Sequence, residues 1–346
     1  MITNINLRNF RKFENLSLKI NSSKIILTGK NAIGKTSVLE SIYLASITKS
    51  HRTNNLKEII KEDNQFADIK INYINDLYRV VLSKEGKMVS INNTEQSKIS
   101  EYIGKFPCIF FSPNDLDIIT GSPTKRRQFL NQEISQISLS YIRNLNLYNK
   151  LLQERNSCLK ELDIDSDTKI LDVITSQLID VCKKIFIERT NFINKINSKI
   201  NLIHNKINSN EKIELIYQPS VNLENIDEVF KSKKTTDIIS KQTNYGIHRD
   251  ELIFNINDKN AMRFASQGQI RNIILTVKLT LCEVIYEYKN KYPILLLDDV
   301  LSELDIKRQN NLLKIIDEFG QTFLICPCDA YLLAFLSLIK NTISSR

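Results

Sequence analysis

Glycine is scarce in this 346-residue chain: there are eight, beside six prolines and six cysteines, and no two cysteines are spaced as C-x-x-C. Cys108, Cys158, Cys182, Cys282, Cys326 and Cys328 therefore read as small buried thiols in a reducing compartment, which excludes a disulfide framework or a zinc cage. No metal other than a nucleotide-bound one is expected. Long apolar runs are missing too: the longest, near Tyr331 to Ile339, falls short of the ~20 residues a membrane span needs. The first ten residues, MITNINLRNF, hold no apolar signal core, so the sequence predicts a cytoplasmic protein without a membrane partner. A basic tail is also absent. Net charge is +9, yet residues 122–243 carry +4 of it and the remainder +5. Any surface for a polyanion must be assembled by folding.

So few glycines mark the places where backbone must approach something closely or turn sharply. Gly29 and Gly34 fall in GKNAIGKT, Gly268 in SQGQ, and Gly121 and Gly246 in two turn motifs. Between Pro123 and Pro219 there is neither glycine nor proline, the composition of long helices. Leu130, Ile134, Ile137, Tyr141, Leu145, Tyr148 and Leu152 form one helical stripe, and Leu171, Ile174, Leu178, Val181, Ile185, Phe192 and Ile196 a second. The polar stretch Glu161 to Lys169 divides them, predicting a hairpin of two helices of about 30 residues, or ~45 Å. The flanks read as β: Leu16 to Ile20, Ile25 to Leu27, a hairpin of Ile69 to Tyr73 with Tyr78 to Leu82, and Ile213 to Tyr217. No internal repeat is visible. The expected fold is α/β, with one lobe built from residues 1–121 and 244–346 and a mainly helical arm, 122–243, inserted between them.

Gly29 to Thr36 fits G-x-x-x-x-G-K-[ST], follows an apolar strand and opens a helix, as a P-loop requires. Backbone N–H groups of Gly29, Lys30, Asn31, Ala32, Ile33, Gly34, Lys35, Thr36 and Ser37 would cradle the phosphates of ATP. Lys35 would bridge the β- and γ-phosphates, and Thr36 would ligate Mg²⁺. Pro293 to Asp305, PILLLDDVLSELD, reads as a buried parallel strand delivering two acids at its carboxyl end. Asp298 would hold Mg²⁺, and Asp299 would polarise the attacking water. His248-Arg249-Asp250 could suggest a hydrolase, but no cluster of acids or histidines accompanies it, and a structural or phosphate-contacting turn fits better.

Ser266-Gln267-Gly268-Gln269 alone signals little more than a helix N-cap at Ser266. Its position, 32 residues before Asp298 and at a helix start, is where ABC-type ATPases carry their signature. Together these segments resemble the RecF family of bacterial recombination mediators. The likeness includes Ile5 to Ile20, Lys49-Ser50-His51-Arg52-Thr53, Phe110 to Leu116 with Gly121-Ser122-Pro123 and Arg126-Arg127, and Gly246 to Leu252, so it spans nearly the whole chain. Departures are Ala32 for a P-loop glycine, Asn114 and Asn131 for acids, Ile247 for proline, and Ile325-Cys326-Pro327-Cys328-Asp329 in the switch segment.

The resemblance implies an ABC-type lobe like the heads of SMC and Rad50 proteins. It implies a homodimer in which Ser266 and Gly268 of one copy meet the γ-phosphate on the other, with Ser302 and Asp305 in the D-loop at the dimer contact. It further implies binding of double-stranded DNA and double-strand/single-strand junctions, partnership with RecO and RecR, and slow hydrolysis, to which the short Asp299 is suited. Arg126 and Arg127 are candidate DNA contacts. An SMC-type machine would need far longer arms. A transporter subunit would place its signature much nearer the P-loop than the 230 residues from Lys35 to Ala265. A small-molecule kinase would leave SQGQ and the arm without a role.

Overall fold

A computed structural model describes residues 1–326 apart from 31, 54, 208–210 and 303. Asn31 of the P-loop, the run Pro327-Cys328-Asp329 and the apolar stretch from Tyr331 lie outside the described residues. The chain forms two compact units. The first comprises the described residues of Met1–Asp115, Leu202–Asn210 and Asn272–Arg346, and the second those of Leu116–Asn201 and Glu211–Arg271.

The first unit holds two sheets. Six strands are antiparallel neighbours, and their two largest hairpins are Ile2–Phe10 with Phe13–Lys19 and Phe66–Tyr73 with Asp76–Ser83. Alternation sets the inward face: Ile5 and Leu7, then Ala67, Ile69 and Ile71, then Tyr78, Val80 and Leu82 are buried. The other sheet is parallel, in the order Lys24–Leu27, Thr322–Ile325, Ile294–Leu297, Cys108–Phe111. Its strands read KIIL, TFLI, ILLL and CIFF, continuous apolar runs suited to a sheet covered on both faces. The helix Lys35–Ile47 buries Leu39, Ile42 and Tyr43 in one core with residues of both sheets, including Ile69, Val80, Phe110, Leu296 and Phe323.

The second unit is mainly helical. Where one helix of about 30 residues is expected, there are two, Pro123–Ser135 and Leu139–Glu161. Ser138 causes the break: its side chain accepts from the Tyr141 N–H at 3.0 Å, an N-cap that starts a new helix. The second stripe belongs to a single helix, Lys169–Ile207, of 39 residues, longer than predicted. Its Asn197 and Asn201, one turn apart, bond backbone N–H and C=O of Leu215 and Ile213. They occupy the free edge of the strand Ile213–Gln218 in place of another strand. Residues 244–271, which the sequence groups with the chain ends, pack here instead. The strand Glu251–Ile256 pairs antiparallel with Ile213–Gln218, a long-range match that local sequence does not specify.

Arginines fasten this unit internally. Arg189, 1% exposed, donates to Asp250 at 2.7 Å, Asn131 at 2.9 Å, and Tyr141 and the Ile247 carbonyl at 3.0 Å. Asp250 also accepts from Ser220 N–H at 2.9 Å and from the Tyr217 hydroxyl. Arg155, fully buried, reaches Asp237 at 2.8 Å and Thr243 at 2.7 Å. Among the described residues, Cys158 and Cys182 are free thiols. No helix among them is long and apolar enough to cross a membrane.

Candidate nucleotide site

Parallel pairing brings the carboxyl ends of four strands to one edge, where α/β sheets bind ligands. Leu27 leads into the P-loop, Leu297 into Asp298, Phe111 into Ser112, and Ile325 ends the fourth strand. Residues after these ends, with Arg11, Lys12, His51 and Arg52, line a cleft of about 540 Å³. That volume suits a nucleotide.

The P-loop holds Gly29, Ala32 and Gly34 at φ 130°, 62° and 103°. A Cβ on Gly34 would lie 2.5 Å from the Phe13 ring and 2.7 Å from Lys12, so no other residue fits there. Ala32 stands in the left-handed region that favours glycine, at a cost of roughly 1 kcal/mol. Its carbonyl accepts from Lys12 Nζ at 2.5 Å. The Lys35 ammonium folds over the loop onto the carbonyls of Gly29 at 2.5 Å and Lys30 at 3.1 Å. Gly34 N-caps the helix that Lys35, Thr36 and Ser37 open. Asp298 is 8% exposed; burial raises its pKa, while a hydrogen bond from Thr36 pulls the other way. A hydroxyl and a carboxylate side by side, next to a phosphate cradle, fit Mg²⁺, which takes few protein oxygens and keeps the rest for phosphate and water. Asp299 adopts φ 50°, a sharp turn after the strand, and its carbonyl accepts from Ser302 Oγ at 3.2 Å.

A second layer was not singled out from the sequence. Glu40, fully buried on the P-loop helix, accepts from Arg11 Nη2 at 2.5 Å and Nε at 2.9 Å, and from Ser50 Oγ at 2.5 Å. Arg52 Nη1 lies 3.7 Å from it. One carboxylate thus fixes both the Phe10–Phe13 turn and the segment after the helix around the cleft. An acid among the buried residues of this helix, five residues past Lys35, was the available signal. Burial works to raise the Glu40 pKa, but the bonds from Arg11 and Ser50 prevail and hold it below the ordinary carboxylate value. Such a group stabilises the fold above its unfolded pKa, and that stability is lost as pH falls through its folded pKa. Glu40→Gln should therefore lower stability at pH 7 by about 3 kcal/mol, because Arg11 keeps a buried charge without its partner. The gap should narrow below about pH 4. Urea melts of both proteins at pH 7 and 3.5 check this; a constant gap contradicts it. His51, its ring centroid 4.0 Å from that of Phe110, is pushed down to about 4 by burial and is neutral at pH 7.

The SQGQ element lies in the second unit and heads the helix Gln267–Lys289. Ser266 Oγ accepts from Gln269 N–H at 3.3 Å, and Gln269 Oε1 accepts from Ser266 N–H at 2.9 Å, a reciprocal capping box. Gln267 and Gly268 are exposed. In the first unit, Asp305 caps the helix Ile306–Glu318 by accepting from Arg308 N–H at 2.9 Å, and Ser302 is exposed.

Arg126 is not available as a DNA contact. It is 7% exposed, grips Glu251 with two bonds at 2.6 and 2.9 Å, and donates to the Gly121 and Ile119 carbonyls. The sequence could not show this because Glu251 is 125 residues away. Arg127, half-buried, donates to the Asp250 carbonyl at 3.0 Å and to Thr124 at 3.1 Å. His248 bonds Tyr148 at 2.5 Å and the Thr243 carbonyl at 3.1 Å, so with Asp250 it belongs to the packing of the second unit.

No protein-family model matches the chain. Among curated proteins, it is 43% identical over 324 residues to the DNA replication and repair protein RecF of Acholeplasma laidlawii, covering 94% of this chain and 93% of that one. It is 39% identical over 341 residues to the protein of the same name from Lactobacillus johnsonii, covering 93% and 91%. Among solved structures, the recombination mediator protein RecF-ATP in the RecFOR pathway superposes with a TM-score of 0.88 at 29% identity, over 94% of this chain and 92% of that one. An Smc head bound to the C-winged helix domain of ScpA follows the same fold at a TM-score of 0.53 and 14% identity, over 95% and 90%.

Proposed function

The chain belongs to the RecF family of DNA replication and repair proteins, and on that premise we propose that it is an ATP-switched DNA clamp of recombinational repair. Its fold is that of ABC- and SMC-type ATPases. One observation carries the reading: the P-loop, Asp298, Asp299 and residues 112–114 line a single cleft at the carboxyl edge of the parallel sheet. Such a cleft recognises a nucleoside triphosphate by its phosphates.

The reaction is in-line attack of water on the γ-phosphorus, with ADP leaving. P-loop N–H groups and the Lys35 ammonium neutralise charge on the β- and γ-oxygens. Thr36 and Asp298 would hold Mg²⁺, which would supply further neutralisation of that charge. Asp299 orients the water and draws its proton. Being one methylene shorter than glutamate, it sits farther from that water, and turnover is slow. Ser266 and the Gly268 N–H of a second copy complete the site at a helix N-terminus, where anions are favoured. ATP thereby closes a homodimer, and hydrolysis opens it.

The closed dimer binds double-stranded DNA and double-strand/single-strand junctions at gaps. There it works with RecO- and RecR-like partners to load recombinase and maintain replication forks, in the cytoplasm at the nucleoid. DNA stimulates the weak ATPase. Contact is with phosphates, drawn by the distributed charge of +9. Arg127 is the remaining arginine of the original pair for this role.

Light scattering with ATP·Mg²⁺, with ADP·Mg²⁺ and without nucleotide tests the reading. Wild type should dimerise with ATP alone, and Ser266→Arg should stay monomeric, because its side chain fills the space kept for the γ-phosphate. A wild-type monomer under all three conditions, with duplex DNA added, removes the clamp.

A further inference from the structure

At the amino ends of the parallel strands, the edge opposite the nucleotide cleft, three aromatic rings touch in a row. The helix Gln267–Lys289 is stopped by Asn290, whose φ of 52° turns the chain and whose N–H donates to the Tyr286 carbonyl at 2.8 Å. The turn folds Tyr292 back onto Tyr286, with ring centroids 4.4 Å apart and planes 21° from parallel. Tyr292 in turn packs on Phe319, at 5.5 Å between centroids. The fit is close: a Cβ on Gly320 would stand 3.0 Å from that of Tyr292. Burial falls along the row, from Phe319 at 5% exposed to Tyr286 at 41%. Among the described residues, Tyr286 has no ring contact other than Tyr292, and its hydroxyl has no hydrogen-bond partner. The stack is open at its outer end.

Cations gather at the same edge without acids to pair them. Lys289 is one helical turn from Tyr286, on the same side of the helix. Burial lowers its pKa, and the charge of Lys105 lowers it further. Lys105 is brought there by its own segment, since the Pro107 carbonyl accepts from Ile294 N–H at 3.0 Å. Lys291 lies between Asn290 and Tyr292, and after burial its charge is what lowers the pKa of the Met1 amino group. The neighbouring Ile2 is tied to this edge by Gln321, through bonds of 2.5 and 2.9 Å. None of Lys105, Lys289 and Lys291 has an ion-pair partner among the described residues. Glu283, one turn before Tyr286, accepts from the Tyr292 hydroxyl at 3.2 Å, and Glu287 is engaged as well. A lysine ending a helix balances its dipole, which accounts for Lys289. It does not account for Lys105, Lys291 and an α-amino group drawn from other segments, where like charges repel.

We propose that Tyr286, with Lys105, Lys289 and Lys291, binds an unpaired DNA strand: a base stacks on the open face of Tyr286, and the phosphates beside it meet the lysines. Stacking on a ring selects single strands, because a base inside a duplex already has both faces covered. It is indifferent to sequence, because every base offers a π face. The surface lies within one unit and at the far edge of the sheet from the P-loop, so it works without ATP and without a second copy. It goes beyond the clamp in giving the protein a hold on unpaired DNA that does not depend on closure.

Fluorescence anisotropy follows a labelled oligothymidylate of about 16 nucleotides, beside a blunt duplex of the same length, on the full-length protein without nucleotide. Tyr286→Ser should weaken the single strand at least ~10-fold and leave the duplex unchanged, whereas Tyr286→Phe, which keeps the ring, should bind like wild type. Lys105→Ala and Lys291→Ala should each flatten the slope of log affinity against log salt by about 0.7. Unchanged affinity for a fluorescent ATP analogue shows that each variant is folded. A wild type that does not bind the oligonucleotide overturns the proposal, and so does a Tyr286→Ser protein that binds it as tightly as wild type. Equal losses on single strand and duplex overturn the stacking, because charge alone does not tell them apart. No outcome here depends on dimers, so the clamp stands or falls by its own test.

Discussion

Lys35→Arg should keep ATP affinity within about tenfold of wild type and lose turnover by ~100- to 1,000-fold. The asymmetry follows from the geometry of the loop. The Lys35 ammonium is aimed by the carbonyls of Gly29 and Lys30, which grip it as a compact donor on a flexible stem. Guanidinium keeps the charge that attracts phosphate, but its planar fork is wider and cannot sit in that grip while reaching the γ-oxygens. Binding depends mostly on the charge, and the transition state depends on its position. Single-turnover phosphate release, with affinity measured separately by titration, separates the two. Unchanged turnover in Lys35→Arg would remove the P-loop from the chemistry and with it the proposed switch.

Arg189→Met should destabilise the second unit by about 3–5 kcal/mol, one of the largest losses available to a single substitution here. Asp250 is 2% exposed, so removing Arg189 leaves a carboxylate in the interior held only by neutral donors. Burial works against the Arg189 charge, yet Tyr141, Tyr217 and Asp250 outweigh it and raise its pKa. Asp250→Asn should cost a similar amount by stranding Arg189, and the double substitution less than the sum, since neither charge then lacks its partner. Hydrogen exchange across residues 116–271, in each single variant and the double, measures this region directly. An exchange pattern unchanged in Arg189→Met would show that the pair is idle and would reopen the hydrolase-like reading of His248-Arg249-Asp250. The lost stability concerns packing, so the nucleotide affinity of the folded protein should persist in both variants.

The motifs of the candidate nucleotide site were legible because their chemistry is local. A glycine pair spaced around a lysine needs only adjacent residues to build its loop, and an apolar tetrad ending in two acids predicts its own strand and edge. The long helices were legible from periodicity, although Ser138 divided the first of them by a cap that competes with a continuing helix. Glu40 was harder. It reads as any helical glutamate until Arg11 and Ser50, from segments on either side of that helix, converge on it. Arg126 read as a surface base for the same reason, since its true partner lies 125 residues on.

The sequence by itself determined the P-loop pattern and the acid-tipped strand, because spacing and apolar periodicity act over a few residues, and its resemblance to RecF proteins pointed to the ABC-type fold and the family. Tertiary structure decided which charges face a ligand and which only hold the fold. It spent Arg126, Arg155 and Arg189 inside the second unit, and it left Ile33, Phe264 and Ile306 in water. Burial of a charge depends on a partner brought in by folding from far along the chain, and no local pattern encodes that meeting.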